Sequence, residues 1–209
     1  IYVLEPTILD DIPLNESYDF SKDLFPRLLA RGKVLHGYIA EGYWTDVGNI
    51  EAYMRACSDY LSGLVDLPRL GQHIGGDIWT EGEVEIAPDA ELHGPVFLGH
   101  GVKIKGGTII HGPSVVRDYT IVDARATIDR SVIWRNSYIG ERAELRGAIV
   151  CKQCNIKSRS LLFEGVVVAD STVINSGAVI QPNVKIWPSK EVDEGATVSA
   201  SIIWGAQGR

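Results

Sequence analysis

Nowhere in the 209 residues do apolar side chains run unbroken for the roughly 18 positions that a membrane-crossing helix requires. A helical membrane span is therefore excluded. Cysteine is scarce: three residues, an odd number over so long a chain, build no disulfide framework and fit a reducing cytoplasm, where the protein is expected to reside. Basic residues do not dominate. Twenty Lys and Arg against 27 Asp and Glu leave a net charge of −7, whereas a nucleic-acid binder normally presents a basic patch. Neither nucleic acid nor membrane is expected as a partner. The chain opens on Ile1 with no basic stretch ahead of an apolar core, so no intact signal peptide is expected, and the chain is expected to start inside a longer protein. What is present is a composition 45% hydrophobic and 22% charged, sufficient to bury a core.

The character of the chain changes near Gly63. Residues 1–63 read as mixed α/β, residues 64–79 as a connector and residues 80–209 as a repeat domain. In the first part, Ile1 to Glu5 and Val34 to Ala40 are β-rich runs that predict strands. Ser21 is placed to cap a helix that carries Leu24, Phe25, Leu28 and Leu29 on one side and stops at Gly32, with Pro26 in its first turn. Asn49 is placed to cap a longer helix, whose apolar positions Ile50, Tyr53, Met54, Cys57, Tyr60 and Leu61 follow the 3.6-residue period up to Gly63. Two strand candidates and two helices are too few to close an α/β core, so the segment reads as the end of a larger domain.

Beyond residue 80 the period is six. From Ile86 to Val198, 20 positions spaced six apart, with two steps of five at Ile133 and Val150, are all Ile, Leu or Val. Four residues after them, 17 of the 20 carry Ala, Val, Thr, Ser or Cys. Such a rhythm predicts a left-handed parallel β-helix of hexapeptide repeats, a mainly β fold of about seven three-sided coils. Each hexad supplies one large and one small inward residue, and stacked coils bury the aliphatics in ladders. The ends of such a column need caps.

Every third hexad falls on the same side, which assigns the outward residues. One side carries Phe97, Val115, Val132, Ile149, Val167, Lys185 and Ile202, flanked by Trp134, Trp187 and Trp204. A solvated face would alternate toward polar residues, and a contiguous apolar one exceeds what soluble monomers expose. Phe97, Trp134, Val132, Ile149, Trp187, Ile202 and Trp204 are therefore expected to form an interface with another domain or a second subunit, giving a homo-oligomer or a docked assembly. The second side is charged, with Lys103, Lys105, Asp123 and Lys157, and the third is mixed.

Two motifs in the first part carry a resemblance. FSKDLFP (Phe20 to Pro26) and GYWTDVG (Gly42 to Gly48), together with the IYVLEP opening, resemble the closing part of sugar-1-phosphate nucleotidyltransferases, in particular mannose-1-phosphate guanylyltransferases. Members of that family often continue into a hexapeptide β-helix, so the resemblance spans essentially the whole chain. The last stretch, Val184 to Arg209, is similar to the junction of bacterial fusions in which a phosphomannomutase-like half follows. The resemblance implies transfer of a nucleotidyl group from a nucleoside triphosphate to a sugar 1-phosphate, most specifically GDP-mannose formation, with Mg²⁺ as cofactor and Asp46 as the motif aspartate that helps hold it. A hard carboxylate suits that ion, although an Asp ahead of Val-Gly is also an ordinary turn residue. Trp44 is expected to pack beside Asp46 as a structural residue. The family's Gly-rich triphosphate segment and its Glu-Lys-Pro motif do not occur in these residues. This stretch alone is therefore expected to be inactive, and it names no catalytic residue.

Two other function classes compete. Hexapeptide prisms also build acyltransferases with a His base, and His93 and His111, one full coil of three hexads apart, fall one above the other; a repeat produces such spacing without any function. The β-helix is also readable as a non-catalytic scaffold. Cys151 and Cys154 form a lone CxxC, read as an outward Cys151 and a small inward Cys154 rather than half of a zinc site.

Overall fold

The computed structural model describes residues 1–203, so Trp204, expected on the apolar face, lies outside the described residues. The chain divides into two compact units, Ile1–Gly42 and Tyr43–Arg209. No helix among the described residues is long and apolar enough to cross a membrane.

In the first unit, a 3-10 turn at Pro6–Asp11 is followed by a π turn at Phe20–Leu24 that runs straight into helix α1 (Phe25–Ala30). The cap is Asp19, not Ser21: the Asp19 carboxylate accepts from the N–H groups of Ser21 and Lys22 at 2.8 Å each. A carboxylate at this position satisfies two donors that a serine already inside the segment cannot reach. Pro26 sits in the first turn of α1. Gly32, at φ +69°, ends the helix, with the Lys33 N–H donating to the Leu28 carbonyl. Leu24 and Leu28 are buried, and the rings of Tyr2, Phe20 and Phe25 cluster with centroids 5.0–6.0 Å apart. Neither Ile1–Glu5 nor Val34–Ala40 forms a strand. A strand exists by its ladder, and among the described residues neither run has a ladder partner; Val34 is 75% exposed and Ile39 91%.

The second unit opens with helix α2 (Ile50–Leu61). Asn49 caps it by accepting from the Ala52 N–H at 2.8 Å, and Gly63 at φ +77° closes it, with the Leu64 N–H donating to Asp59 O. Three stacked sheets follow, one of eight strands and two of seven. The eight-stranded sheet is the apolar side assigned from sequence. It begins with an antiparallel pair, Gln72–Gly75 on Ile78–Thr80, which covers its first edge. Every later pairing is parallel, starting with Ile78 on Val96, so the coil begins at Ile78 rather than at residue 80. Ladder partners lie one coil apart. Val115 pairs with Val132 and Val132 with Ile149 across the two short steps, then Ile149 with Val167 across a full coil of hexads.

Eighteen of the 20 aliphatics are buried; Ile86 and Leu92, in the first coil, are partly covered. The small inward residue keeps its register with the aliphatic that follows it, two positions on, not with the one that precedes it by four. The two rules agree in hexads and differ in the short steps, where Ser131 and Ala148 are the fully buried residues. Buried hydroxyls at this position tie the coils together. Thr108, Thr120, Ser137, Ser160 and Thr172 each donate to a main-chain carbonyl of the next coil, at 2.9–3.2 Å, so no inward hydroxyl among these is left unmade.

A third register is absent from the aliphatic rhythm. The residue three before the inward aliphatic has a positive φ in 16 of the 20 repeats, from Gly101 to Gly195. Only six of these are glycine; the others include Arg125, Arg142, Arg159, Asn136 and Asn183. The left-handed conformation costs a non-glycine residue on the order of 1–2 kcal/mol, a strain that the coil geometry imposes at each corner.

Candidate functional site

Helix α2 lies along the apolar sheet. Its twelve residues rise about 18 Å, and strands stack about 4.8 Å apart, so the helix spans about four rungs. Its first turn lies over the later coils: Asn49, Ile50 and Met54 share a cavity of about 560 Å³ with Ile149, Val166, Asn183 and Lys185. Its last turn lies over the early ones, where Cys57, Tyr60 and Leu61 enclose about 130 Å³ with Leu70, Phe97 and Val115. Between them Tyr53 of the helix lies beside Cys57 and beside Trp134 of the sheet. Burial pushes the Tyr53 phenol up to about 12. Tyr60 anchors the far end, donating to Pro68 O at 2.9 Å and accepting from the Leu70 N–H at 2.8 Å.

The residues expected to form an interface therefore separate. Phe97, Val132 and Ile149 are buried, on the face that α2 covers. Ile202 does not face outward: it pairs with Ile186 and joins the interior, because the step from Val198 is four instead of six. Trp134 and Trp187 stay 43% and 45% exposed. Trp187 borders an open apolar depression with Ile50, Val167, Ala169 and Pro188, flanked by Lys185 and Lys190. By packing, α2 goes with the β-helix, whereas the motifs group it with residues 1–63.

Asp46 lies in the loop that leads into α2 and is exposed. Both ends of that loop are fastened to the helix. Asn49 caps its start, and the Tyr43 hydroxyl donates to Asp59 Oδ2 at 2.7 Å, a bond that raises the Tyr43 phenol above its ordinary value. A Cβ at Gly48 would stand 3.4 Å from Asp46 Oδ2, an ordinary contact. Trp44 does not pack beside Asp46; it is 79% exposed, with no apolar surface closing over it among the described residues. Among the described residues, no three His, Cys, Asp or Glu side chains converge on a metal-sized site. Asp46 thus offers a single hard oxygen ligand with open surroundings.

The remaining sequence candidates resolve on chemistry. Cys154 is buried in the coil interior and Cys151 half-buried on the apolar sheet. Burial pushes the Cys154 thiol up to about 12 and raises Cys151 and Cys57 as well, which disfavours the reactive thiolate at each of them. His93 and His111 stack with centroids 4.9 Å apart and are both exposed. Their strands pair in register, His93 against His111, which accounts for the stacking without a reaction.

Sequence reasoning did not mark Tyr43 or Tyr53 as contact residues. Tyr53 shows in the sequence only as one more apolar position of α2, and Tyr43 only as a motif letter. Their partners, Trp134 and Asp59, are not near neighbours along the chain, and no periodicity connects either pair.

A family model described as nucleotidyl transferase matches residues 1–63, and one described as the EIF2B subunit epsilon LbH domain matches residues 75–180. The chain is similar to the UTP–glucose-1-phosphate uridylyltransferase of Synechocystis sp., at 31% identity over 72% of this chain and 39% of that protein. It is 33% identical to the mannose-1-phosphate guanylyltransferase of Mycobacterium tuberculosis over 62% of this chain and 36% of that one. To the glucose-1-phosphate adenylyltransferase of Desulfitobacterium hafniense it is 32% identical, over 85% and 47% respectively. The chain thus spans less than half the length of each of these relatives.

Proposed function

Because this chain belongs to the sugar-1-phosphate nucleotidyltransferase family, we propose that it is part of an enzyme that makes GDP-mannose from mannose 1-phosphate and GTP. A phosphate oxygen of the sugar phosphate attacks the α-phosphorus, the bond from that phosphorus to the oxygen bridging to the β-phosphate breaks, and pyrophosphate leaves with the electron pair. Mg²⁺, when bound, neutralises charge that gathers on the phosphate oxygens. Asp46 would supply one carboxylate to it, which suits an ion that takes one or two protein carboxylates and fills its other positions with water and substrate phosphates. The cytoplasm is the proposed location. The β-helix serves assembly, with the exposed apolar surface around Trp134 and Trp187 as the docking face.

The observation that carries this reading is the match of residues 1–63 to the nucleotidyl transferase model, with the Asp46 loop open to solvent at the head of α2. The uridylyl and adenylyl relatives match about as well as the guanylyl one, so glucose 1-phosphate with UTP or ATP is the second reading. The test supplies the whole protein with Mg²⁺ and each pairing of GTP, UTP or ATP with mannose or glucose 1-phosphate. GDP-mannose as the fastest product supports the reading. Another nucleotide sugar would replace its substrates, and no nucleotide sugar from any pairing would overturn it.

A further inference from the structure

One residue of the apolar sheet is out of character. Phe97, Val115, Val132, Ile149 and Val167 form one outward column, each paired with the next, and the following member is Lys185, in register with Val167. Cover by α2 alone would be served by another aliphatic, because a cation beside apolar surface loses hydration. The Lys185 amine folds back onto the coil and donates to the Gly165 carbonyl, and desolvation holds its pKa below the ordinary lysine value. That bond uses one of its three donors, and among the described residues no carboxylate pairs with it.

Lys185 borders the cavity of about 560 Å³ under the first turn of α2. Ile149 and Val166, both buried, line it together with Ile50 and Met54 of the helix. Its far side is a corner of the coil left bare. Gly147, Gly165 and Asn183 stack there at φ +54°, +73° and +65°, whereas another corner carries Arg125, Arg142 and Arg159. A Cβ at Gly165 would overlap the Asn183 side-chain oxygen, so that wall stays open. The Asn49 and Asn183 amides stand at the rim beside Lys185, and the one carboxylate there, Glu51, is exposed to solvent screening. An apolar lining with a few polar groups at one side, in a volume of roughly 300–1,000 Å³, is the form that small-molecule sites take.

We propose that this cavity binds a small amphipathic anion, its apolar body against Ile50, Met54, Ile149 and Val166 and its carboxylate, phosphate or sulfonate on the Lys185 ammonium. Such a ligand supplies the counter-charge that the coil does not, and it fills apolar volume that α2 leaves uncovered. The inference is independent of the nucleotidyl-transfer reading, because its test reads binding alone.

The probe is anilinonaphthalene sulfonate, which joins an apolar ring system to one anionic group, titrated into the whole protein by calorimetry. Met54→Trp, whose indole fills the cavity, is expected to lose one bound probe per chain. Lys185→Met keeps the length of the side chain without its charge and is expected to weaken that site about tenfold, the lower end of what a bond to a charged group contributes. Trp187→Ser alters the neighbouring depression and is expected to leave the site as it is. Octanoate, which has both an apolar body and a carboxylate, is expected to displace the probe, whereas inorganic phosphate is not. Full binding in Met54→Trp, unchanged affinity in Lys185→Met, loss confined to Trp187→Ser, or displacement by phosphate as readily as by octanoate would each overturn the proposal. If Met54→Trp disturbs the fold, seen as lost helical ellipticity, Lys185→Met at the rim decides by itself.

Discussion

Ile39 and Ile139 are the same side chain in β-rich surroundings, yet the first is 91% exposed and the second wholly buried. Ile139 has its partners built into the chain, Val122 one coil before it and Ile156 one coil after. Ile39 sits in a run that meets no such neighbour among the described residues. Burial in the repeat is thus a property of translation along the sequence: each coil supplies the floor for the next. Residues 1–42 carry instead a small local cluster, Tyr2, Phe20, Phe25, Leu24 and Leu28, with apolar residues to either side left open.

The sharpest way to break that contrast is a paired truncation. Ile139→Ala is expected to lower the unfolding free energy by about 2–5 kcal/mol in urea titration, while Ile39→Ala changes it by no more than about 0.5 kcal/mol. Equal effects would mean that the two runs are packed alike. Next comes Ser131→Ala. The Ser131 hydroxyl donates to Asp129 O at 2.8 Å and accepts from the Ala148 N–H at 3.0 Å, so its removal strands a buried donor and is expected to cost about 1–3 kcal/mol.

A smaller effect is expected on the charged sheet. Tyr138 donates to Asp123 Oδ2 at 2.5 Å, which holds the carboxyl below its ordinary value, helped by the Ala124 N–H. A depressed folded value contributes stability above the unfolded pKa of about 4 and loses it as the pH falls through the folded one. The site is partly solvated, so the contribution is no more than about 1 kcal/mol. Tyr138→Phe is expected to lower stability at neutral pH by up to about 1 kcal/mol and to leave it nearly unchanged at about pH 2, which flattens the acid limb of a pH-dependent unfolding series. The smallest change has the opposite sign. Arg159→Gly relieves a corner residue at φ +57°, and the strain removed, set against the entropy glycine adds to the unfolded chain, leaves a gain of about 0.5–1 kcal/mol. A loss there would show that the Arg159 side chain contributes more than its backbone strain.

Most of the β-helix was legible because its signal is repeated 20 times, and repetition averages out local noise. The three sides, the short steps at Ile133 and Val150, and the inward Cys154 follow from counting. The corners were not legible, since ten of the sixteen left-handed residues are not glycine and carry no mark of their conformation. Ile202 was misplaced because the count was carried one repeat too far past Val198. In the first unit, Pro26 and Gly32 announce the start and stop of α1, whereas the strand readings at Ile1–Glu5 and Val34–Ala40 rested on propensity, which has no force without a partner strand.

The candidate site divides the same way. The GYWTDVG letters single out Asp46, and the amphipathic period of α2 says that one side of the helix is buried. Neither says against what. The apolar side of the prism was equally plain, and equally silent on its occupant.

Sequence alone determined the coil, its period and its inward residues, because those depend on relations between positions at fixed short intervals along one chain. Only the tertiary structure decided that α2 is what covers Phe97, Val132 and Ile149, and that Tyr43 ties the Asp46 loop to Asp59 in the last turn of that helix. The physical reason is that apolar burial has no direction: a hydrophobic stripe and a hydrophobic sheet each require cover, and only their geometry in three dimensions selects one as the cover of the other.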